Sequence, residues 1–267
     1  MPTTQTILAS IRVHRVDLPW YTREWQTSHM YICIVIDDLF SKEECHQLMA
    51  RSEQQGYEEA LVNIGGGRQQ KLSHVRNSDR CIMDDPVLAE EIWQRILQTL
   101  NSLPPSQREK VYEPDALQLD DKLYTRSSGW WTAVGLNERL RFLRYKPGTF
   151  FKPHQDGQYT RANAEAGGDM RVGETSFVTC QLYLNDNFEG GATRFHKSPR
   201  ERDGCVSEVH PKMGSVLLFQ HDLLHEGCLV ASGQKYVIRT DVMYTERGPG
   251  HEYSREPIVM NSSPMEE

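Results

Sequence analysis

The second half of the chain, from about residue 136, is a series of short apolar runs separated by turn residues. The runs are LRFLRY, TFFKPH, SFVTCQLYL, ATRFH, SVLLFQ and YVIRTDVMY, and the connections between them include KPG, NDNFEGG, HPKMG and ASGQ. Strand-sized runs at this spacing, with Gly, Pro, Asn and Asp between them, are typical of a β-sandwich or β-barrel. This pattern limits the second half to an antiparallel, sheet-based architecture.

The first half of the chain carries the signals of a strand and two helices. The run YICIVI at 31–36 predicts a buried strand. Ser41 and Glu44 form a capping box at the start of one helix, and Asp85 with Pro86 begins a second helix. Because helices precede the strands, we predict an α+β fold with a double-stranded β-helix (jelly-roll) core buttressed by N-terminal helices.

The chain has 267 residues, enough for one large domain or two small ones. We expect a single domain in three parts. Residues 1–135 form the helical buttress with extra strands, residues 136–246 form the jelly-roll core, and residues 247–267 form a tail.

Charge and cysteine usage limit the function classes. The formal net charge of −7 argues against general electrostatic binding of nucleic acid. No apolar run approaches the roughly 18 residues of a membrane helix, and the N-terminus lacks the pattern of a signal peptide. The six cysteines are scattered, without a C-x-x-C pair, which favours buried free thiols in a reducing compartment. We therefore expect a cytoplasmic protein with no nucleic-acid or membrane partner.

The segment FKPHQDG, residues 151–157, places a histidine and an aspartate two positions apart after an apolar run. Residues i and i+2 of a strand share a face, so His154 and Asp156 can point together, and Gly157 lets the chain turn away. A third metal ligand would then come from another strand. The candidate ligands are His196, His210, His221 and His225.

The segment GSVLLFQHDLLHEG favours His225 among these histidines. His225 follows a predicted buried strand, precedes Glu-Gly, and lies ten residues before Lys235. Two histidines and one carboxylate form the facial triad that suits non-haem iron(II) and leaves coordination positions open. A lysine pairs well with the distal carboxylate of a cosubstrate. His221 is the alternative ligand, although we expect it to lie behind the ligands or on a loop.

The segments RYKPGTFFKPHQDG, TCQLYLNDNFEGGATRF, GSVLLFQHDLLHEG and GQKYVIRTDVMY together resemble the iron(II)- and 2-oxoglutarate-dependent oxygenases of the prolyl 4-hydroxylase type. The resemblance covers roughly residues 136–246. It implies a dioxygenase that hydroxylates an unactivated C–H bond, with His154, Asp156 and His225 holding iron(II). The implied cosubstrates are 2-oxoglutarate and O2, with ascorbate as an accessory reductant.

The same resemblance implies the residues that bind 2-oxoglutarate. Lys235 would bind its C5 carboxylate, Tyr183 would donate a hydrogen bond to that carboxylate, and Tyr145 would line the same pocket. Arg239 lies four residues after Lys235 on the same strand face. It is the alternative anchor for the carboxylate, or else the partner of Asp241.

Three further residues are candidates for substrate contact. Arg76 falls where the resemblance places an arginine near the substrate entrance. Tyr159 and Arg161 lie in the glycine-containing segment 157–175, which is either a solvated loop or a lid over the site.

The resemblance implies a prolyl or other residue of a protein or peptide as the substrate. A free amino acid or other small metabolite is the alternative, because one fold serves many substrates. Two other classes stay open: a metal-holding protein without oxygenase activity, and a non-catalytic binding module on the same fold.

Overall fold

The structure of the protein, a computed structural model, describes residues 11–18, 31–63, 68–104, 118–120, 130–161, 173–197 and 206–247. Within these ranges the helices are α1 (Lys42–Gln55) and α2 (Pro86–Ser102). The strands are β1 (Val13–Arg15), β2 (Cys33–Ile36), β3 (Glu58–Glu59), β4 (Val62–Asn63), β5 (Gln69–Gln70), β6 (Asp79–Asp84), β7 (Gln118–Asp120), β8 (Trp130–Leu136), β9 (Arg139–Tyr145), β10 (Phe151–His154), β11 (Thr175–Tyr183), β12 (Glu189–Gly190), β13 (Thr193–His196), β14 (Val206–Val209), β15 (Val216–Gln220), β16 (His225–Gly227), β17 (Val230–Ser232) and β18 (Lys235–Arg247).

Two antiparallel sheets form the jelly roll. The major sheet has the order β1-β2-β15-β11-β18-β9-β6-β3, and β8 pairs with both β18 and β7. The minor sheet has the order β10-β16-β13-β14. The long strand β18 lies near the centre of the major sheet, where it pairs with β11 on one side and with β9 and β8 on the other. Two-stranded ribbons, β12-β17 and β4-β5, complete the pairing of the described strands.

Alternation along the strands gives the major sheet two apolar faces. On β15, Leu217 and Phe219 join the apolar layer that also contains Phe195 of the minor sheet. Val216 and Leu218, which alternate with them, join the layer that packs against α2. Because successive side chains of a strand point to opposite faces, one central sheet supports both a helix-covered core and the interior between the sheets.

Both helices begin as the sequence predicts. Ser41 accepts a hydrogen bond from the backbone N–H of Glu44 while the Glu44 carboxylate accepts from the backbone N–H of Ser41, and Gly56 follows the end of α1 in a left-handed conformation. Asp85 caps α2, with proline at its first position. The buried side of α2 packs into the helix-covered core through Leu88, Ala89, Ile92, Trp93, Ile96 and Leu100.

The predicted α+β fold with a double-stranded β-helix core is confirmed. All six apolar runs of the second half lie on strands: β9, β10, β11, β13, β15 and β18. The division into one domain with a C-terminal tail stays a prediction, since residues 248–267 lie outside the described residues.

The cysteines of the described residues are free thiols. Cys33, Cys45, Cys81 and Cys180 are buried free thiols, and Cys228 is a half-buried one. Among the described residues, no helix is both long enough and apolar enough to cross a membrane.

Candidate active site

A cluster of two histidines and one aspartate lies at one end of the interior between the sheets. His154 ends β10 and His225 begins β16, and these two residues are direct partners in the minor sheet. Asp156 lies two residues beyond β10. The Nε2 atoms of His154 and His225 lie 3.7 Å from Oδ1 and from Oδ2 of Asp156, respectively. One ligand atom from each residue lies within 4.8 Å of the others.

Backbone carbonyl groups orient both imidazole rings. Nδ1 of His154 lies 2.7 Å from the carbonyl oxygen of Lys152, and Nδ1 of His225 lies 2.9 Å from that of Leu223. Because a carbonyl oxygen only accepts a hydrogen bond, each Nδ1 carries the proton. The Nε2 lone pairs are thereby directed at the cluster, which is the second-shell arrangement of metal-ligating histidines.

The environment keeps the histidines neutral and the aspartate ionised. Burial, together with the neighbouring His225, lowers the pKa of His154 to about 3, and burial also lowers the pKa of His225. Burial would raise the pKa of Asp156, but the neighbouring groups, chiefly the Arg239 guanidinium, together outweigh it and hold that pKa well below its usual range. The donor set therefore has the protonation states that a divalent metal ion requires.

Two side chains of the major sheet hold the Asp156 carboxylate. Thr179 of β11 donates a hydrogen bond to Oδ2 over 2.5 Å, and Nη2 of Arg239 lies 3.0 Å from Oδ1. Two neutral histidines and one oriented carboxylate match the facial triad that suits non-haem iron(II). The described residues thus fit the metal that the sequence pattern predicts.

A pocket runs from this cluster along the strands of the major sheet to Lys235. Leu143 and Val237 form part of its apolar wall, and Phe151 lies at the side of the cluster with its ring stacked on His154 at 3.5 Å. Cross-strand pairing places Lys235 opposite Tyr145 and Val237 opposite Leu143. The pocket is therefore bounded by apolar side chains between two polar ends.

Lys235 lies at the closed end of the pocket and is 3% exposed. Its Nζ donates a hydrogen bond to the carbonyl oxygen of Gly191 over 2.6 Å. The rings of Tyr145 and Tyr183 lie 5.3 and 5.4 Å from Nζ. Among the described residues, no carboxylate lies within ion-pair distance of it. Burial consequently lowers the pKa of Lys235 to about 7. This ammonium group is available for an acidic ligand.

Tyr183 and Thr193 add hydroxyl groups near the same end of the pocket. The Tyr183 hydroxyl lies 2.8 Å from Oγ1 of Thr193, and Gln181 donates to the same oxygen over 3.1 Å. Burial raises the pKa of Tyr183, so its hydroxyl remains a donor. These groups are placed to bind an oxyanion beside Lys235.

Arg239 lies at the metal end of the pocket, four residues beyond Lys235 on β18. Nη2 of Arg239 contacts Oδ1 of Asp156 at 3.0 Å and Oδ1 of Asp241 at 3.3 Å. The sequence left Lys235 and Arg239 as alternative anchors. In the structure Arg239 pairs with Asp241, which is one of the two interpretations of the sequence. Lys235 has no carboxylate partner in the described part of the chain.

The other candidate histidines lie elsewhere. His221 is buried, with Nε2 3.6 Å from Asp241, so it lies behind the cluster. His196 and His210 contact Glu226 and Glu208, respectively, away from the triad. Among the described residues, His225 is the candidate that joins His154 and Asp156.

The three substrate candidates have different positions. Arg76 lines the pocket, with its guanidinium 4.7 Å above the ring of Phe151. Tyr159 is 42% exposed at the surface. Arg161 is buried in ion pairs with Glu138 and Glu174, and it does not line the pocket. Substrate contact by these residues stays a prediction, and the geometry favours it for Arg76 and opposes it for Arg161.

Sequence reasoning missed two residues of this region, Thr179 and Arg141. Arg141 donates to Asp241 over 3.1 Å and lies directly opposite Arg239 in the sheet. Asp241 was considered only as a partner of Arg239. The period-two spacing of 235, 237, 239 and 241 was the available signal for Asp241, but contacts across strands depend on a register that the sequence does not show.

Comparison with known proteins shows what this chain is similar to. Residues 140–240 match the family model of the 2OG-Fe(II) oxygenase superfamily. Prolyl 4-hydroxylase 1 of Arabidopsis thaliana is 28% identical over 221 residues, which cover 76% of this chain and 65% of that protein. The chain thus spans about two thirds of the length of this curated relative.

Solved structures with a similar fold include three prolyl hydroxylases. The viral collagen prolyl hydroxylase of Paramecium Bursaria Chlorella virus-1, in its 2OG complex, is 19% identical, with a TM-score of 0.44, over 79% of this chain and 96% of that chain. A Pseudomonas putida prolyl-4-hydroxylase is 16% identical, with a TM-score of 0.46, over 80% and 93%. A prolyl hydroxylase from Trichoplax adhaerens, in complex with a hypoxia inducible factor peptide fragment, is 15% identical, with a TM-score of 0.48, over 84% and 95%.

Proposed function

We propose that this protein is an iron(II)- and 2-oxoglutarate-dependent dioxygenase, and the match of residues 140–240 to the family model of the 2OG-Fe(II) oxygenase superfamily supports the proposal. The reaction would hydroxylate an unactivated C–H bond. The observation that carries the proposal is the convergence of His154, Asp156 and His225 within 4.8 Å at one end of a pocket. The other end of this pocket holds a lysine that pairs with no carboxylate of the described residues. Each of the two ends has a separate task in such a reaction.

The metal end would bind iron(II) through the two Nε2 atoms and the Asp156 carboxylate. Iron(II) with 2-oxoglutarate supplies the activated oxygen that hydroxylation needs. The chain contributes the orientation of the ligands: the carbonyl groups of Lys152 and Leu223 hold the imidazole rings, and Thr179 holds the carboxylate. A site that leaves part of the metal coordination sphere free of protein ligands suits this chemistry.

The lysine end would bind the C5 carboxylate of 2-oxoglutarate. Lys235 is charged when paired with a carboxylate, and the Tyr183 hydroxyl lies against the same part of the pocket. Arg239 suits this task less well, because it already contacts the metal ligand Asp156 and therefore lies at the wrong end of the pocket. Leu143 and Val237 exclude water between the two ends.

We propose a prolyl or other residue of a protein or peptide as the substrate. The support is the similarity to prolyl 4-hydroxylase 1 of Arabidopsis thaliana. A free amino acid or other small metabolite is the alternative, since the described pocket itself does not require a peptide. The free thiols favour a reducing environment, and we propose a cytoplasmic location on that basis.

The test is conversion of 2-oxoglutarate to succinate by the purified protein with and without iron(II), followed by mass spectrometry of peptides and amino acids for a gain of one oxygen. We expect succinate formation that requires iron(II). His225→Ala should lose metal binding and turnover while staying folded, because it removes one of three ligands. His221→Ala is the matched control, and it should keep the metal.

Two other outcomes would assign the protein to other classes. Stoichiometric metal binding without any succinate formation would indicate a metal-holding protein on this fold. Full metal loading of His225→Ala together with loss of metal from His221→Ala would move the third ligand to His221. Metal content is measured by elemental analysis, so this reading does not depend on activity.

A further inference from the structure

The pocket carries more positive charge than iron(II) and 2-oxoglutarate require. The charges of iron(II) and Lys235 balance those of a 2-oxoglutarate dianion and Asp156. Three further guanidinium groups line the pocket, from Arg76, Arg141 and Arg239, and Asp241 is the carboxylate that contacts two of them. Glu226 also lines the pocket, but its carboxylate pairs with Arg194. The excess is therefore positive and lies at the metal end.

Arg76 has no anionic partner in the described part of the chain. Its Nε donates to Oγ of Ser78 over 3.0 Å, and its guanidinium lies over the ring of Phe151. No carboxylate of the described residues lies within 4 Å of it. An isolated backbone bridge between Arg76 and Phe151 fixes this arginine beside β10. Its remaining N–H groups are therefore held next to the metal cluster without an acceptor from these residues.

Arg239 also keeps an unused donor. Its Nη2 contacts Asp156 and Asp241, but its Nε is buried without a hydrogen-bond partner among the described residues. Arg141 lies directly opposite Arg239 on the neighbouring strand. Like charges in directly opposite positions destabilise a sheet. The Asp241 carboxylate contacts both arginines. The Asp156 carboxylate also contacts Arg239, but its charge would be shared with the metal.

Arg76 and Arg239 line the same pocket. Burial lowers the pKa of Arg76, and the charge of Arg239 lowers it further. Two half-buried guanidinium groups that repel one another and line one pocket form a site for an anion with two oxygen acceptors. A carboxylate fits this description, and it supplies the charge that the pocket lacks.

We propose that the substrate presents a carboxylate to Arg76 and Arg239 beside the metal cluster. This inference rests on the proposed function and names the substrate class of that site. The carboxylate belongs either to a free or terminal acid or to an acidic side chain of a peptide. In both cases Arg76 donates two parallel hydrogen bonds to the carboxylate and thereby positions the target carbon near the metal.

The test is binding of matched acids and amides to the protein saturated with Mn(II) and N-oxalylglycine, a non-reactive analogue of 2-oxoglutarate. N-acetylproline and N-acetylprolinamide differ only in a free carboxylate. The peptides acetyl-Pro-Glu-amide and acetyl-Pro-Gln-amide place the difference on a side chain. Thermal stabilisation of the protein reports binding of each probe. The pair that shows the preference identifies the source of the carboxylate.

We expect one acid to bind about ten- to a hundred-fold more tightly than its amide, as charge-assisted hydrogen bonds do. Arg76→Gln should abolish this preference. Arg76→Lys should keep part of it, because lysine retains the positive charge but lacks the paired N–H donors of a guanidinium group. Arg139→Gln is the matched control: Arg139 pairs with Asp84 outside the pocket, so the preference should persist. Binding of N-oxalylglycine should be unchanged in all three variants.

Equal binding of acid and amide in both pairs, including no detectable binding of any probe, would overturn the inference. A preference that survives in Arg76→Gln would overturn it as well. If N-oxalylglycine itself fails to stabilise the Mn(II) protein, the proposed function fails instead. The acid and amide pairs are then titrated against the metal-free protein, so that the two failures are separated.

Discussion

The affinity for 2-oxoglutarate should fall as pH rises above neutrality, because Lys235 is buried and no carboxylate among the described residues pairs with it. Burial lowers the pKa of Lys235 to about 7 in the unliganded protein. A carboxylate beside Nζ favours the charged form and raises that pKa in the complex. Binding above about pH 7 must therefore take up a proton.

The expected slope is about a tenfold loss of affinity per pH unit above the pKa, since the fraction of charged lysine falls by that factor. Between about pH 6 and about pH 9 the dissociation constant of 2-oxoglutarate should rise by about a hundredfold. The histidine ligands do not add to this slope, because burial lowers the pKa of His154 to about 3 and keeps its ring neutral throughout.

The measurement is calorimetric titration of the Mn(II) protein with 2-oxoglutarate across this pH interval, in buffers of different ionisation enthalpy so that proton uptake is counted directly. Lys235→Arg keeps a charge at every pH, and its affinity should be flat. Lys146→Gln removes an exposed lysine that pairs with Asp79, and it should keep the wild-type slope. A flat profile for the wild type, or an unchanged slope in Lys235→Met, would refute the assignment of Lys235.

Two stability predictions test the contacts around the core. Arg161→Met removes the ion pair between Arg161 and the buried Glu174 carboxylate, so the free energy of unfolding in urea should fall by about 3–5 kcal/mol. A loss below about 1 kcal/mol, as expected for a surface pair, would contradict a stabilising role of this buried ion pair. Gly214→Ala places a Cβ 2.0 Å from the carbonyl oxygen of Phe40 at φ +80°, whereas Gly148→Ala has φ +81° and open space. Gly214→Ala should therefore destabilise by well over about 1 kcal/mol and by more than Gly148→Ala, and equal losses would show that only backbone strain matters.

Much of the fold follows from local sequence patterns. The capping box of α1, the proline at the start of α2 and the six apolar runs of the core are each encoded within a few neighbouring residues, so short-range rules predict them. The candidate metal ligands could also be predicted from the sequence, because the His-x-Asp spacing and the ten-residue interval between His225 and Lys235 are visible without a structure.

Contacts that depend on strand register could not be predicted from the sequence. Thr179 is paired with Asp241 across β11 and β18 and donates to Asp156, which lies 23 residues away in sequence. Arg239 is opposite Arg141, far away along the chain. Alternation predicts which residues share a face of one strand but not which residue of the next strand lies beside them.

Arg161 shows two local sequence patterns that point in different directions. Glycines in segment 157–175 predict a permissive backbone, and Arg161 was therefore considered a substrate contact. In the structure Thr160 is bridged to Thr175 and Arg161 is bonded to Glu174. The sequences TR at 160–161 and ET at 174–175 have the mirrored order of a hairpin base, with opposite charges facing. These facing Thr-Arg and Glu-Thr pairs are visible in the sequence, and they predict the position of Arg161 better than the nearby glycines do.

The geometry of β18 explains why one strand can serve both ends of the site. Lys235 and Arg239 are separated by four residues, or about 13 Å at roughly 3.3 Å per residue, and both face the interior with Val237 between them. Ile238, on the opposite face, packs in the helix-covered core. A slip of β18 by one residue would turn Lys235 and Arg239 into that core and expose Ile238 to the pocket. Burial of the two faces therefore fixes the register, and the register sets the distance between the lysine and the metal ligands.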